Sequence, residues 1–136
     1  MIDKTYLLTI RDCPKSVNAG GGGARANRYA AHREKQRWEG LFLMELLAAK
    51  VPRAMQFVTI DLTVRWKRRN HRDVENYRHP ITKPLLDALK KGSYVPDDTD
   101  EYVHVKGLTF EYPTEWEYID PRVTSELIVL LEASYL

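Results

Sequence analysis

Residues 56–67 read QFVTIDLTVRWK, and their spacing decides the fold class. Val58, Ile60, Leu62, Val64 and Trp66 alternate with Thr59, Asp61, Thr63, Arg65 and Lys67. A period of two sustained this long is a β-strand with one buried and one polar face. The polar face turns basic toward its end, so the strand delivers the chain into residues 65–98, RWKRRNHRDVENYRHPITKPLLDALKKGSYVPDD.

Upstream, Thr5 to Ile10 (TYLLTI) predicts a short first strand. CPKSVNAGGGGARAN follows, a glycine-rich flexible loop in which Lys15, Asn18, Arg25 and Arg28 are candidates to meet phosphate. It is not a P-loop, because no Gly-Lys-Ser/Thr follows the glycines. From about Asn27 to Lys50 the pattern is helical, basic in its first half and apolar from Leu41 to Ala49, with Pro52 beyond its end.

Downstream, a second helix is expected near Thr82 to Lys91. Pro80 and Pro84 stand at its first turn, Thr82 caps it and Gly92 stops it. Tyr102 to Tyr112 predicts a strand whose inward phase changes at Gly107, the mark of a β-bulge. An acidic loop leads to a last strand near Val123 to Leu131, whose unbroken LIVLL suggests burial on both faces. The order β-α-β-α-β-β implies an α+β fold, a mixed sheet with two helices in a single domain spanning residues 1–136.

The chain has 136 residues, enough for one hydrophobic core. Its lone cysteine, Cys13, excludes an internal disulfide and a cysteine-rich zinc site, and no apolar run reaches the length of a membrane span. Together with an N-terminus lacking a signal-peptide pattern, this predicts a cytoplasmic protein. The formal net charge of +2 conceals an asymmetry. Residues 1–92 carry 19 Lys/Arg against 9 Asp/Glu, and residues 93–136 carry 2 against 10. The basic part favours a polyanionic partner, although two halves that neutralise each other would give the same counts.

Cations beside clustered carboxylates suit metal-dependent phosphodiester hydrolysis. Lys67, Arg68, Arg69 and Arg72 would hold the phosphate chain, and carboxylate oxygens would hold hard divalent ions. Asp73 and Glu75, two apart, share a face in extended backbone. Asp98 precedes the next strand, and adjacent strands lie close enough to bring it to the same place. Lys83 is placed to steady a phosphate, and Asp87 and Asp97 are additional candidate acids. The same residues also read as helix caps, surface ion pairs and a turn, and at this point both readings stand.

With RRNHRDVEN, Lys83, DALKKG and Asp97-Asp98 in view, the segment resembles the RusA family of Holliday-junction resolvases. That family's pattern runs basic-D-x-D-N, a lysine, D-A-L, then an acidic pair. The resemblance implies that Asp73, Glu75 and Asp98 bind metal, that Lys83 is the essential lysine, and that Pro14, Ser16 and Asn18 belong to the loop after the first strand. It implies further a homodimeric endonuclease of phage or prophage type, acting in a bacterial host cytoplasm. Such an enzyme uses Mg²⁺, with Mn²⁺ as a substitute, and makes paired symmetric nicks in four-way DNA junctions. Two departures stand out. Glu75 replaces an aspartate, and HPIT is an insertion ahead of Lys83. A junction-binding protein without catalysis, or a nuclease for flaps or other branched substrates, are the alternatives.

Overall fold

The computed structural model describes residues 2–17 and 24–136. In chain order the elements are β1 (Ile2–Ile10), α1 (Ala24–Ala48), β2 (Phe57–Trp66), α2 (Glu75–Lys91), β3 (Val103–Glu111) and β4 (Ser125–Tyr135). The expected α+β class and element order hold. The four strands form one mixed sheet in the order β1-β4-β2-β3, with β2 and β3 parallel and the other two pairings antiparallel.

Register aligns Leu8, Val129, Leu62 and Leu108 across the sheet. That row and its neighbours face the helices, which bring Trp38, Phe42 and Leu46 from α1 and Ile81, Leu85 and Leu89 from α2. Burying side chains of this size contributes about 1.5–3 kcal/mol each. Two ion pairs, Lys35 to Asp87 and Lys91 to Glu39, step along both helices in the same sense, so α1 and α2 run side by side and parallel.

The opposite face of the sheet carries no helix, which corrects the expectation for LIVLL. Leu127, Val129 and Leu131 are buried, whereas Ile128 and Leu130 are only half-buried beside Thr63 and Asp61. On this face β2 offers the polar Asp61 and Thr63, while β1 sets the exposed Leu7 beside Leu130, so the apolar run is left partly open to solvent.

The bulge is present. Val105 pairs with Ile60 and Gly107 with Asp61, leaving Lys106 as the extra residue, and its ammonium reaches Glu132 at 3.5 Å.

The second helix begins at Glu75, seven residues before the predicted capping threonine. Thr82 lies inside it and its hydroxyl donates to the Arg78 carbonyl at 2.8 Å. Pro80 and Pro84 are therefore interior prolines, each denying its N–H to the carbonyl four residues earlier. At Pro80 the loss is made good from outside the helix. The backbone N–H of Val17 donates to the Asn76 carbonyl at 2.9 Å, tying the segment after β1 to the first turn of α2.

Because β2 and β3 are parallel, α2 must run back along the sheet between them. One end of the sheet, near Trp66, gathers the ends of β1, β2 and β3 and the starts of β4 and α2. The other end, near Met55, holds the end of α2, where the Met55 N–H bonds the Tyr94 carbonyl.

Candidate active site and nucleic-acid face

The basic run after β2 lies at the Trp66 end. Lys67, Arg68 and Arg69 are exposed, and Arg72 is half-buried. Two of these cations rest on aromatic rings. The Arg72 guanidinium is 3.9 Å from the centroid of Trp66, and that of Arg69 is 4.8 Å from Tyr112. Trp66 is itself fixed by edge contacts with Tyr77 and Phe110, each at 5.4 Å between centroids. Arg72 also donates to the Arg68 carbonyl at 2.9 Å. Cations held this way have less conformational freedom left to lose on meeting an anion.

Arg65 does not belong to this group. It bonds Glu117 at 2.9 Å and the buried Glu126 at 3.0 Å, and these bonds, Glu117 first, raise its pKa. The acidic loop after β3 thus neutralises part of the basic stretch within the fold. Lys15 is exposed on the segment anchored by Val17 and makes no ion pair among the described residues. Asn18 lies outside the described residues, as does the side chain of Arg25.

Asp73 and Glu75 stand at the start of α2. Asp73 Oδ1 accepts the Glu75 N–H at 3.1 Å, capping a helix whose N-cap position, Val74, has no side-chain acceptor to offer. Glu75 pairs with Arg78 one turn along, at 3.1 Å. Both are exposed. Deeper in the helix, Asp87 is shared between Lys35 at 2.8 Å and Lys83 at 3.3 Å. Burial pushes the Asp87 pKa up, but the two ammonium groups outweigh it and the net shift is downward.

Asp97 and Asp98 lie past the other end of α2. Asp97 accepts the Asp98 backbone N–H at 2.8 Å and pairs with Lys90 at 3.2 Å, and these bonds lower its pKa in that order. The length of α2, 17 residues beginning with Glu75, lies between this pair and Asp73. At about 1.5 Å per residue the helix is roughly 25 Å long. The adjacency expected from neighbouring strands does not arise, because the strands are parallel and Asp98 precedes the start of β3 rather than its end. Among the described residues, no three His, Cys, Asp or Glu side chains could jointly hold a metal ion. The donor chemistry of Asp73, Glu75 and Asp98 suits Mg²⁺, all three being hard carboxylate oxygens. Their placement within one chain does not fit a three-carboxylate centre.

Between α1, α2 and the segment after β1 lies a cleft of about 490 Å³. Lys15, Lys35 and Lys83 line it, with His32 and His79. Of these only Lys15 and Lys83 belong to the sequence-derived site. Lys35 and the two histidines carry no local motif, and only the parallel packing of the helices brings them together.

The chain matches no family model and no curated protein.

Proposed function

We propose that the chain is a Mg²⁺-dependent, structure-selective endodeoxyribonuclease that works as a homodimer and resolves four-way DNA junctions by paired nicks. One juxtaposition carries the reading. Arg69 and Arg72 stand at the end of the sheet where α2 presents Asp73 and Glu75, and the segment carrying Lys15 is tied to that first turn of α2, while Lys83 lines the adjoining cleft with Lys15. The cations there suit the phosphodiester chain, and Arg69 and Arg72 offer charge already oriented by the rings beneath them. Lys83, balanced on a carboxylate it shares with Lys35, has an ammonium to lend to a phosphate oxygen. Asp73 and Glu75 would lend carboxylate oxygens to a divalent ion at the start of α2, and the chemistry such an ion would supply is activation of water. The resemblance of residues 69–98 to the RusA pattern supplies the choice of junction DNA.

A second reading has its own support. With Asp98 at the far end of α2, the chain could hold branched DNA without cutting it. A synthetic four-way junction incubated with the protein, with and without Mg²⁺, separates the two. Symmetric paired nicks that need the metal are expected. Binding without cleavage in Mg²⁺ or Mn²⁺ would select the second reading, and equal cutting of flaps or RNA would reject junction selectivity.

A further inference from the structure

We propose that the cleft between α1 and α2 receives one unstacked nucleotide, its phosphate on the lysines and its base between His32 and His79. The inference stands on the cleft's own make-up and rests on the nuclease reading only for DNA as the source of the nucleotide.

The volume of about 490 Å³ falls in the range of small-ligand sites, roughly 300–1,000 Å³. Its walls are largely apolar, with Pro14, Val17, Ala30, Ala31, Pro80 and Pro84 among them. Its charge is mainly cationic and unevenly balanced. Two ammonium groups, Lys35 and Lys83, share the single carboxylate of Asp87. Lys15 has no ion-pair partner among the described residues, while Glu34, the acid lining the cleft, is already bonded by Arg37 at 3.0 Å and by the Trp38 indole at 3.1 Å. An apolar slot with surplus positive charge fits a ligand that joins a flat, weakly hydrated group to a phosphate.

The imidazoles provide the flat partners. His32 comes from α1 and His79 from α2, so they approach from different walls, and both are exposed and able to stack on a base. Unstacking costs least for a base that has already lost its pairing partner, so an opened branch point is a suitable source of such a nucleotide.

The four histidines make the test direct, because His71 and His104 lie outside the cleft and serve as internal references. Imidazole carbon–proton NMR signals of the full chain are followed at fixed pH during titration with a 2′-deoxynucleoside 5′-monophosphate, and in parallel with inorganic phosphate and with the unphosphorylated nucleoside. Saturable shifts of His32 and His79, with His71 and His104 unmoved, are expected for the mononucleotide. Lys15→Ala should weaken that binding about tenfold, with Lys15→Arg retaining most of it. Identical shifts from inorganic phosphate at equal concentration would reduce the cleft to an anion site and overturn the proposal. Unmoved cleft histidines, or equal movement of all four, would overturn it too. No cleavage is involved, so saturable shifts in a protein that fails to cut junctions would sink the nuclease reading and leave the cleft assignment standing.

Discussion

Arg72 sits over the ring of Trp66, its guanidinium carbon 3.9 Å from the ring centroid. The contact keeps a flexible cation at the end of β2, where the basic run begins. Arg72→Ala should weaken binding to all DNA sequences alike and lower the salt-dependence slope by about one unit. Arg72→Lys should keep the slope yet bind less tightly, since an ammonium lacks the planar face that the indole supports. Fluorescence anisotropy over a salt series reads both quantities, and an unchanged slope in Arg72→Ala would remove the residue from the phosphate-binding set.

Asp87 links the two helices through Lys35 and Lys83. Its pKa is lower in the folded chain than its ordinary value of 3.8. The carboxylate's contribution is therefore fully present above that value and is lost as pH falls through the lower folded pKa. Asp87→Asn should cost about 1 kcal/mol near neutral pH, a figure held down by the partial exposure of both lysines. The gap from wild type should close in strong acid. Urea denaturation at several pH values measures it, and a gap independent of pH would mean that packing, not charge, is what Asp87 supplies.

A site needing both Asp73 and Asp98 cannot be assembled within one chain whose α2 holds them at opposite ends. Two chains could supply one acid each. Asp73→Asn and Asp98→Asn proteins should then each fail to cut a junction, while mixed and re-equilibrated they should nick it, because each mixed dimer carries one intact pair. Full activity of Asp98→Asn alone would confine the chemistry to the Trp66 end. Inactivity of the mixture would deny the shared site.

Cys13 is buried, 8% exposed, and burial followed by the charge of Asp12 pushes its thiol pKa well up. The folded protein should resist alkylation by iodoacetamide at neutral pH and react promptly once unfolded. Intact-mass measurement follows the label, and rapid stoichiometric labelling of the native chain would contradict the burial.

Much of the fold was legible because β2 carries its burial in its spacing and α1 turns apolar in its second half, although Met44 and Leu47 there remain exposed. Val58 through Trp66 announce a strand whatever surrounds them. The start of α2 was hidden by Pro80 and Pro84, which in isolation mark a first turn. Only the Val17 N–H, from the segment after β1, explains how one of them is accommodated inside a helix. Asp98 was misplaced for a similar reason. Whether two neighbouring strands run parallel or antiparallel decides which ends meet, and no residue in β2 or β3 encodes that locally. The pairing of Arg65 could not be read from its own strand, because its partners, Glu117 and Glu126, lie more than fifty residues downstream.

Pro80 has a consequence for how this protein could change over time. Alanine there would restore an N–H for Asn76, and helix propensity alone favours alanine over an interior proline by about 3 kcal/mol. The repaired helix would then compete with Val17 for the same carbonyl, and the segment carrying Lys15 would lose its tether. A Pro80→Ala chain should melt higher and hold DNA less well. If the Lys15 segment serves DNA binding as proposed, stability and binding would pull this position in opposite directions.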